Sequence, residues 1–243
     1  MELTPATHVA DIAAHNPAAI PVFQRHGIDF CCGGRRPLAE VCRDRGIDFD
    51  AVREEIAAAA TATPAPERDW TEAPLADLVD HIVTRYHVGL RQELPRLAAM
   101  ADKVLAVHGK RHPEVLPALV RTLQSLRAEL ESHTTKEEQI LFPWIEELER
   151  FAGSGSSRRA AAATPAPSVG APIAMMESEH DEAAGALAEM RRLTGGYQLP
   201  EGACTTFRGL YNGLAEFEDD LHRHIHLENH VLFPRALALE GAV

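Results

Sequence analysis

Apolar positions recur with a helical period over most of the chain. Leu75, Leu78, Ile82, Tyr86 and Leu90 follow the i, i+3, i+4 spacing that lines one face of an α-helix. Two long segments, about 70–150 and about 172–240, each hold two such patterns, interrupted near 107–113 and 194–200 by Gly and Pro. Four long helices in two hairpins predict an up-down-up-down four-helix bundle. Pro95 and Pro117 fall inside the predicted helices and should kink or restart them. Ahead of the bundle, shorter helical patterns cover 9–15, 17–26, 37–45 and 49–60, with Pro17 and Pro37 suited to first turns and Gly27 and Gly46 to stops. Ile12, Ile20, Phe23, Ile28, Leu38, Val41, Ile47 and Ile56 predict one modest core there. A module of about 60 residues is marginal alone, so it is expected to lean on a partner surface.

Two Ala/Pro/Ser/Gly-rich stretches, 57–68 and 153–168, read as linkers. The expected fold is therefore all-α, with a small helical domain over 1–60 and the bundle over 70–243. Low aromatic content, 5%, and abundant Ala, Leu and Glu agree with helix. A net charge of −12 opposes phosphate backbones and anionic lipid, so no nucleic-acid and no membrane partner is expected. The N-terminus lacks the basic and apolar regions of a secretory signal, and no stretch has the roughly 20 apolar residues of a membrane span. Four cysteines, two of them adjacent, are too few for a disulfide scaffold, and a cytoplasmic, reducing setting is expected.

The chemistry lies in a repeat. His133-Thr-Thr-Lys-Glu137-Glu-Gln-Ile-Leu-Phe-Pro143 matches His224-Ile-His-Leu-Glu228-Asn-His-Val-Leu-Phe-Pro234. A lone histidine precedes each copy, His87 by 46 residues and His180 by 44. Positions i and i+4 share a helix face, so each hairpin can aim one His and one His-x-x-x-Glu pair into the bundle. Any one of these histidines is better read as an ordinary satisfied polar residue. Two copies of the same spacing within apolar repeats would instead bury two carboxylates at high cost without a cation. The candidate metal ligands are thus His87, His133, Glu137, His180, His224 and Glu228. If each Glu bridges, two cations receive two imidazoles apiece with positions left open, a set that suits iron or manganese better than closed structural zinc.

Other residues carry weaker signals. His222, His226 and His230 form a stripe that points away from the His224–Glu228 face and is expected to meet solvent. Glu129, Glu179 and His81 are candidates for a supporting role around the ligands. Asp29-Phe-Cys-Cys-Gly-Gly-Arg-Arg36 places Cys31 and Cys32 in a tight glycine turn, expected to leave both thiols accessible, with Arg35 and Arg36 favouring thiolate. Cys31 and Cys32 are the candidate redox-active or metal-transferring residues; Cys42 and Cys204 are assigned to packing.

Taken together, Asp29 to Gly34, Arg85-Tyr-His87, His133 to Pro143, Met176-Glu-Ser-Glu-His180 and Leu227 to Pro234 resemble the RIC family, the YtfE/ScdA-like iron–sulfur cluster repair proteins. The resemblance covers nearly the whole chain. It implies a short double-cysteine domain ahead of a hemerythrin-like bundle, with two iron ions per chain in an oxo- or hydroxo-bridged centre held by the six ligands. It implies repair of clusters damaged by oxidative or nitrosative stress, with iron–sulfur client proteins as partners and nitric oxide or oxygen as small ligands. Nitric oxide reduction, or simple binding of nitric oxide or oxygen, are the alternative functions. A homodimer is kept open as the assembly state.

Overall fold

The computed structural model describes residues 3–62, 68–153 and 168–242. Most of the 153–168 stretch, and residues 63–67 of the first linker, lie outside the described residues. The described residues are helical and fall into two compact units. One unit holds the N-terminal region to Val79, Leu148 onward to the end of its helix, and His222 to the C-terminus; the other holds Asp80–Glu147 and the second hairpin to Leu221.

In the first unit, α1 (Val9–His15), a short 3-10 turn (Pro17–Ala19), α2 (Ile20–Arg25), α3 (Leu38–Arg45) and α4 (Phe49–Ala62) enclose the small core anticipated from the sequence. Ile12, Ile20, Phe23, Ile28, Leu38, Val41 and Ile56 are buried in it, and Ile47 packs at its edge. Gly46 ends α3 in the left-handed region, φ +67°, where a side chain would be strained. The segment from His222 onward is hydrogen-bonded to this region. His226 donates from Nδ1 to the Phe30 carbonyl at 3.0 Å, and Asn229 Nδ2 donates to the Cys31 carbonyl at 3.3 Å. Helix α5 (Leu75–His81) begins in the same unit, where its first N–H groups, on Leu75 and Ala76, are capped by the Glu149 carboxylate at 2.7 and 2.9 Å.

The long helices are α6 (Val88–His108), α7 (Leu116–Lys136), α8 (Phe142–Gly153), α9 (Gly170–Leu193), α10 (Thr205–Leu227) and α11 (Phe233–Ala242). Each of the four main ones carries a buried stripe with alternating steps of three and four residues. On α7 it runs Leu116, Leu119, Leu123, Leu126, Leu130, His133, and its next step is Glu137. On α9 it runs Ile173, Met176, His180, Ala183, Leu187, Met190. His87 heads the stripe continued by Leu90, Leu94, Leu97, Ala101 and Val104, and His224 and Glu228 extend the one through Leu210, Leu214, Phe217 and Leu221. The predicted ligands therefore occupy core positions of a 3.5-residue repeat, the packing pattern of antiparallel bundles. Pro117 sits in the first turn of α7 and restarts the helix, whereas Pro95 is carried inside α6.

Three π-helical segments adjoin the candidate ligands: Ile82–His87, Glu137–Leu141 and Glu228–Leu232. They correct one expectation. A regular period puts Tyr86 on the buried face after Ile82, but the π segment makes that step five residues, so His87 is fully buried and Tyr86 only half-buried. The second and third segments precede Phe-Pro, at Pro143 and Pro234. Proline lacks an N–H and crowds the carbonyl four residues back, and a widened turn relieves that clash without breaking the helix.

Candidate metal centre

Within the second unit, four predicted ligands meet. Glu137 is fully buried and divides its oxygens between two histidines: Oε2 lies 3.4 Å from His87 Nε2, and Oε1 lies 3.3 Å from His133 Nε2. His180 Nε2 lies 3.0 Å from His133 Nε2. Within the first unit, His224 Nε2 lies 2.9 Å from Glu228 Oε1, and both residues are buried.

Hydrogen-bond partners fix the tautomers of two imidazoles. His87 donates from Nδ1 to Glu138 Oε1 at 2.8 Å, and His133 donates from Nδ1 to Glu179 Oε2 at 2.8 Å. In the neutral ring this leaves the Nε2 lone pairs facing Glu137. Two donors on one cation at bonds of about 2.0–2.2 Å stand roughly 3.0–3.5 Å apart, so these separations match the edges of a coordination shell. The set fits divalent iron in kind as well, being imidazole and carboxylate with no thiolate. Without a cation, a carboxylate wholly removed from water carries a desolvation cost of several kcal/mol, by order of magnitude.

The supporting carboxylates are ionised. Burial raises the pKa of Glu138, but Arg91 and His87 outweigh it and hold the group below its ordinary value; Lys136 and His133 do the same for Glu179. Glu179 thus takes the supporting role foreseen for it. Glu138 was not foreseen, although its place beside Glu137 was the available signal. Glu129 accepts a hydrogen bond from Ser125 at 2.7 Å and lines a cavity of about 320 Å³ that His133, Lys136, Glu179, His180 and Glu182 also border. His81 lies edge-on to Tyr86.

The histidine stripe does point away from the candidate ligands, but its middle member, His226, is buried and the other two are half-buried. His226 is 2% exposed, with its ring edge-on to Phe30 at 5.6 Å, and Phe30 also contacts His222 at 6.2 Å. The loop covering the stripe is the one that bears the thiols. Aligning the two repeat copies explains the difference: His226, Asn229 and His230 stand where the first copy has Thr135, Glu138 and Gln139.

That loop is organised by Asp29. Its Oδ1 accepts the N–H groups of Cys31 and Cys32 at 2.9 and 3.0 Å, and its Oδ2 accepts that of Gly33 at 2.8 Å. Burial raises the Asp29 pKa, yet these bonds, with that from the Cys31 thiol, carry it below the ordinary value. The glycines answer to space: a Cβ on Gly34 would lie 2.7 Å from the Phe30 carbonyl oxygen and 2.8 Å from Ala10 Cβ. Cys31 departs from expectation. Cys31 is 3% exposed, and its bond to Cys32, burial and the Asp29 charge push its pKa well up, so the local field favours thiol over thiolate. Arg36 is engaged with Asp44 at 2.5 Å. Cys31 and Cys32 lie with their sulfurs 3.8 Å apart. Cys42 is buried as assigned, whereas Cys204 is exposed, its Sγ 3.3 Å from His108 Nε2.

No helix among the described residues is long and apolar enough to cross a membrane. Comparison with known proteins agrees with the site. The model of the hemerythrin HHE cation binding domain matches residues 78–236, which include all six candidate ligands, and a domain of unknown function, DUF542, matches residues 6–60. The chain is 42% identical over 232 residues to the iron-sulfur cluster repair protein YtfE of Escherichia coli O1:K1 / APEC, covering 96% of this chain and 97% of that one. The iron-sulfur cluster repair protein YtfE of Escherichia fergusonii matches to the same extent. With a fully buried His/Glu site on a helical bundle and these matches along nearly its whole length, the chain belongs to the YtfE-like family of iron–sulfur cluster repair proteins with a hemerythrin HHE domain.

Proposed function

We propose that this protein repairs iron–sulfur clusters by supplying iron from a dinuclear centre held by His87, His133, Glu137, His180, His224 and Glu228. The observation that carries the reading is Glu137, fully buried with one oxygen toward His87 and the other toward His133, as a bridging carboxylate requires. In that geometry His133 stands with His180, the lone histidine of the other hairpin. The repeat maps this pair onto His224 with His87, and Glu137 onto Glu228. One iron would thus take His87 and His224, the other His133 and His180, with both carboxylates shared. Iron bound there would supply redox chemistry and exchangeable coordination positions. Residues 1–60 and 70–243 would be the working domains.

Cys31 and Cys32 assist in this reading by release or reduction of the metal. Oxidation of the pair to a disulfide would deliver two electrons and two protons. Their loop is tied to the segment that starts at Glu228, through Asn229, which gives the thiols a physical connection to a ligand helix. The partners are iron–sulfur client proteins in the cytoplasm. The cavity bordered by His133 and His180 favours a second reading, in which nitric oxide or oxygen enters and nitric oxide is reduced. An anaerobic assay separates the two. Iron appearing in an apo-cluster protein as it leaves this chain supports repair; catalytic loss of nitric oxide with nitrous oxide formed, and no iron transfer, would replace it by the reductase reading.

A further inference from the structure

Two cations outside the six donors stand behind ligand imidazoles, and the sequence places both in the same way. Arg91 follows His87 by four residues and Lys136 follows His133 by three, so each lies one turn along the face of its own histidine. Arg91 Nη1 donates to Glu138 Oε1 at 2.7 Å, the same oxygen that accepts His87 Nδ1–H. Lys136 Nζ pairs with Glu179 Oε1, while Glu179 Oε2 accepts His133 Nδ1–H. Each carboxylate also adjoins a donor on its own helix, Glu138 next to Glu137 and Glu179 next to His180. The other two histidines lack a cation at this offset: Ala183 and Ala184 follow His180, and Leu227 and Glu228 follow His224.

We propose that Arg91 and Lys136 are positioning residues of the metal centre, Arg91 acting through Glu138 on His87 and Lys136 through Glu179 on His133. Each cation holds a carboxylate that is about 29% or 28% exposed and would otherwise swing toward water. Held in place, the carboxylate keeps the imidazole proton on Nδ1 and the Nε2 lone pair aimed at the metal. The inference rests on the six-ligand reading. It deepens that reading by naming what orients two of the four histidines, His87 through Glu138 and His133 through Glu179. With the pairing proposed above, each iron would have one imidazole oriented in this way, so both metal positions would be held by the same device.

The test uses the full chain with and without metal. In metal-free protein labelled with ¹⁵N-histidine at pH 8, His87 and His133 should show the Nδ1–H tautomer. Arg91→Gln should mix the tautomers of His87 and leave His133 unchanged; Lys136→Met should do the reverse, and Arg91→Lys should restore His87. After ferrous loading, loss of iron to a chelator should be several-fold faster in Arg91→Gln than in the wild type. Glu138→Gln should be worse, with about 10–100-fold weaker retention. Unchanged tautomers and unchanged iron loss in folded Arg91→Gln and Lys136→Met would overturn the proposal, leaving two surface ion pairs. Locked tautomers in a wild type that takes up no iron would instead sink the six-ligand reading while the orientation device stood.

Discussion

Replacing His226 with Ala should detach the thiol loop from the ligand helix without touching a metal donor. The ring is 2% exposed, donates to the Phe30 carbonyl at 3.0 Å and meets the Phe30 ring edge-on at 5.6 Å. Leaving that carbonyl without its donor costs about 1–3 kcal/mol. Losing the aromatic contact adds about 0.5–1.5 kcal/mol. The expected destabilisation is therefore about 1.5–4.5 kcal/mol, read from urea unfolding at constant m-value. Alkylation of Cys31 should accelerate in the same variant, because its carbonyl and that of Phe30 are held by one helical segment. Metal content should stay close to that of the wild type, since the ring faces away from His224 and Glu228. His222→Ala, at a half-buried ring edge-on to Phe30, should be milder. A loss below about 0.5 kcal/mol, the range of an ordinary surface substitution, with Cys31 as slow as before would refute the docking argument.

Four further outcomes follow from the same geometry. Glu137→Ala and Glu228→Ala should each lose most bound iron by metal analysis, because each carboxylate is assigned to both cations. Toward iodoacetamide, exposed Cys204 and half-buried Cys32 should react before buried Cys31 and Cys42, as peptide mapping would show. Asp29→Ala should loosen the loop. The lowered Asp29 pKa means its stabilisation is present above the ordinary carboxylate range and is lost as pH falls through the folded value, so acid unfolding curves of wild type and variant should converge. Burial raises the Tyr211 phenol to about 12, so its stabilisation is full below about pH 10 and lost as pH rises toward that value; Tyr211→Phe should flatten the alkaline decline.

The candidate ligand positions stood out because they sit in an apolar repeat that physical cost forbids to unpaired carboxylates. His133, Glu137 and His180 interrupt runs of leucine, isoleucine and methionine at core spacing, and a second copy repeats the pattern at His224 and Glu228. The π segments were not legible. Their effect, a five-residue step from Ile82 to His87, depends on backbone hydrogen bonding that a fixed 3.6-residue period excludes. The fate of the histidine stripe was hidden for another reason. Helix geometry gives the direction of a face but not what covers it, and here the cover comes from Phe30 and Cys31, about 200 residues away in sequence. The thiols show the same limit. Arg35 and Arg36 are near Cys31 in sequence, yet Cys32, burial and Asp29 set its protonation. Glu138 could have been found by asking which carboxylates adjoin a ligand on a packed helix, the rule that did find Glu179.

A centre of two irons bridged by Glu137 and Glu228 should be read out in the metal stoichiometry. Protein purified anaerobically from iron-replete cells should contain about two irons per chain, as four imidazoles and two shared carboxylates require. One zinc per chain and no iron would contradict the account.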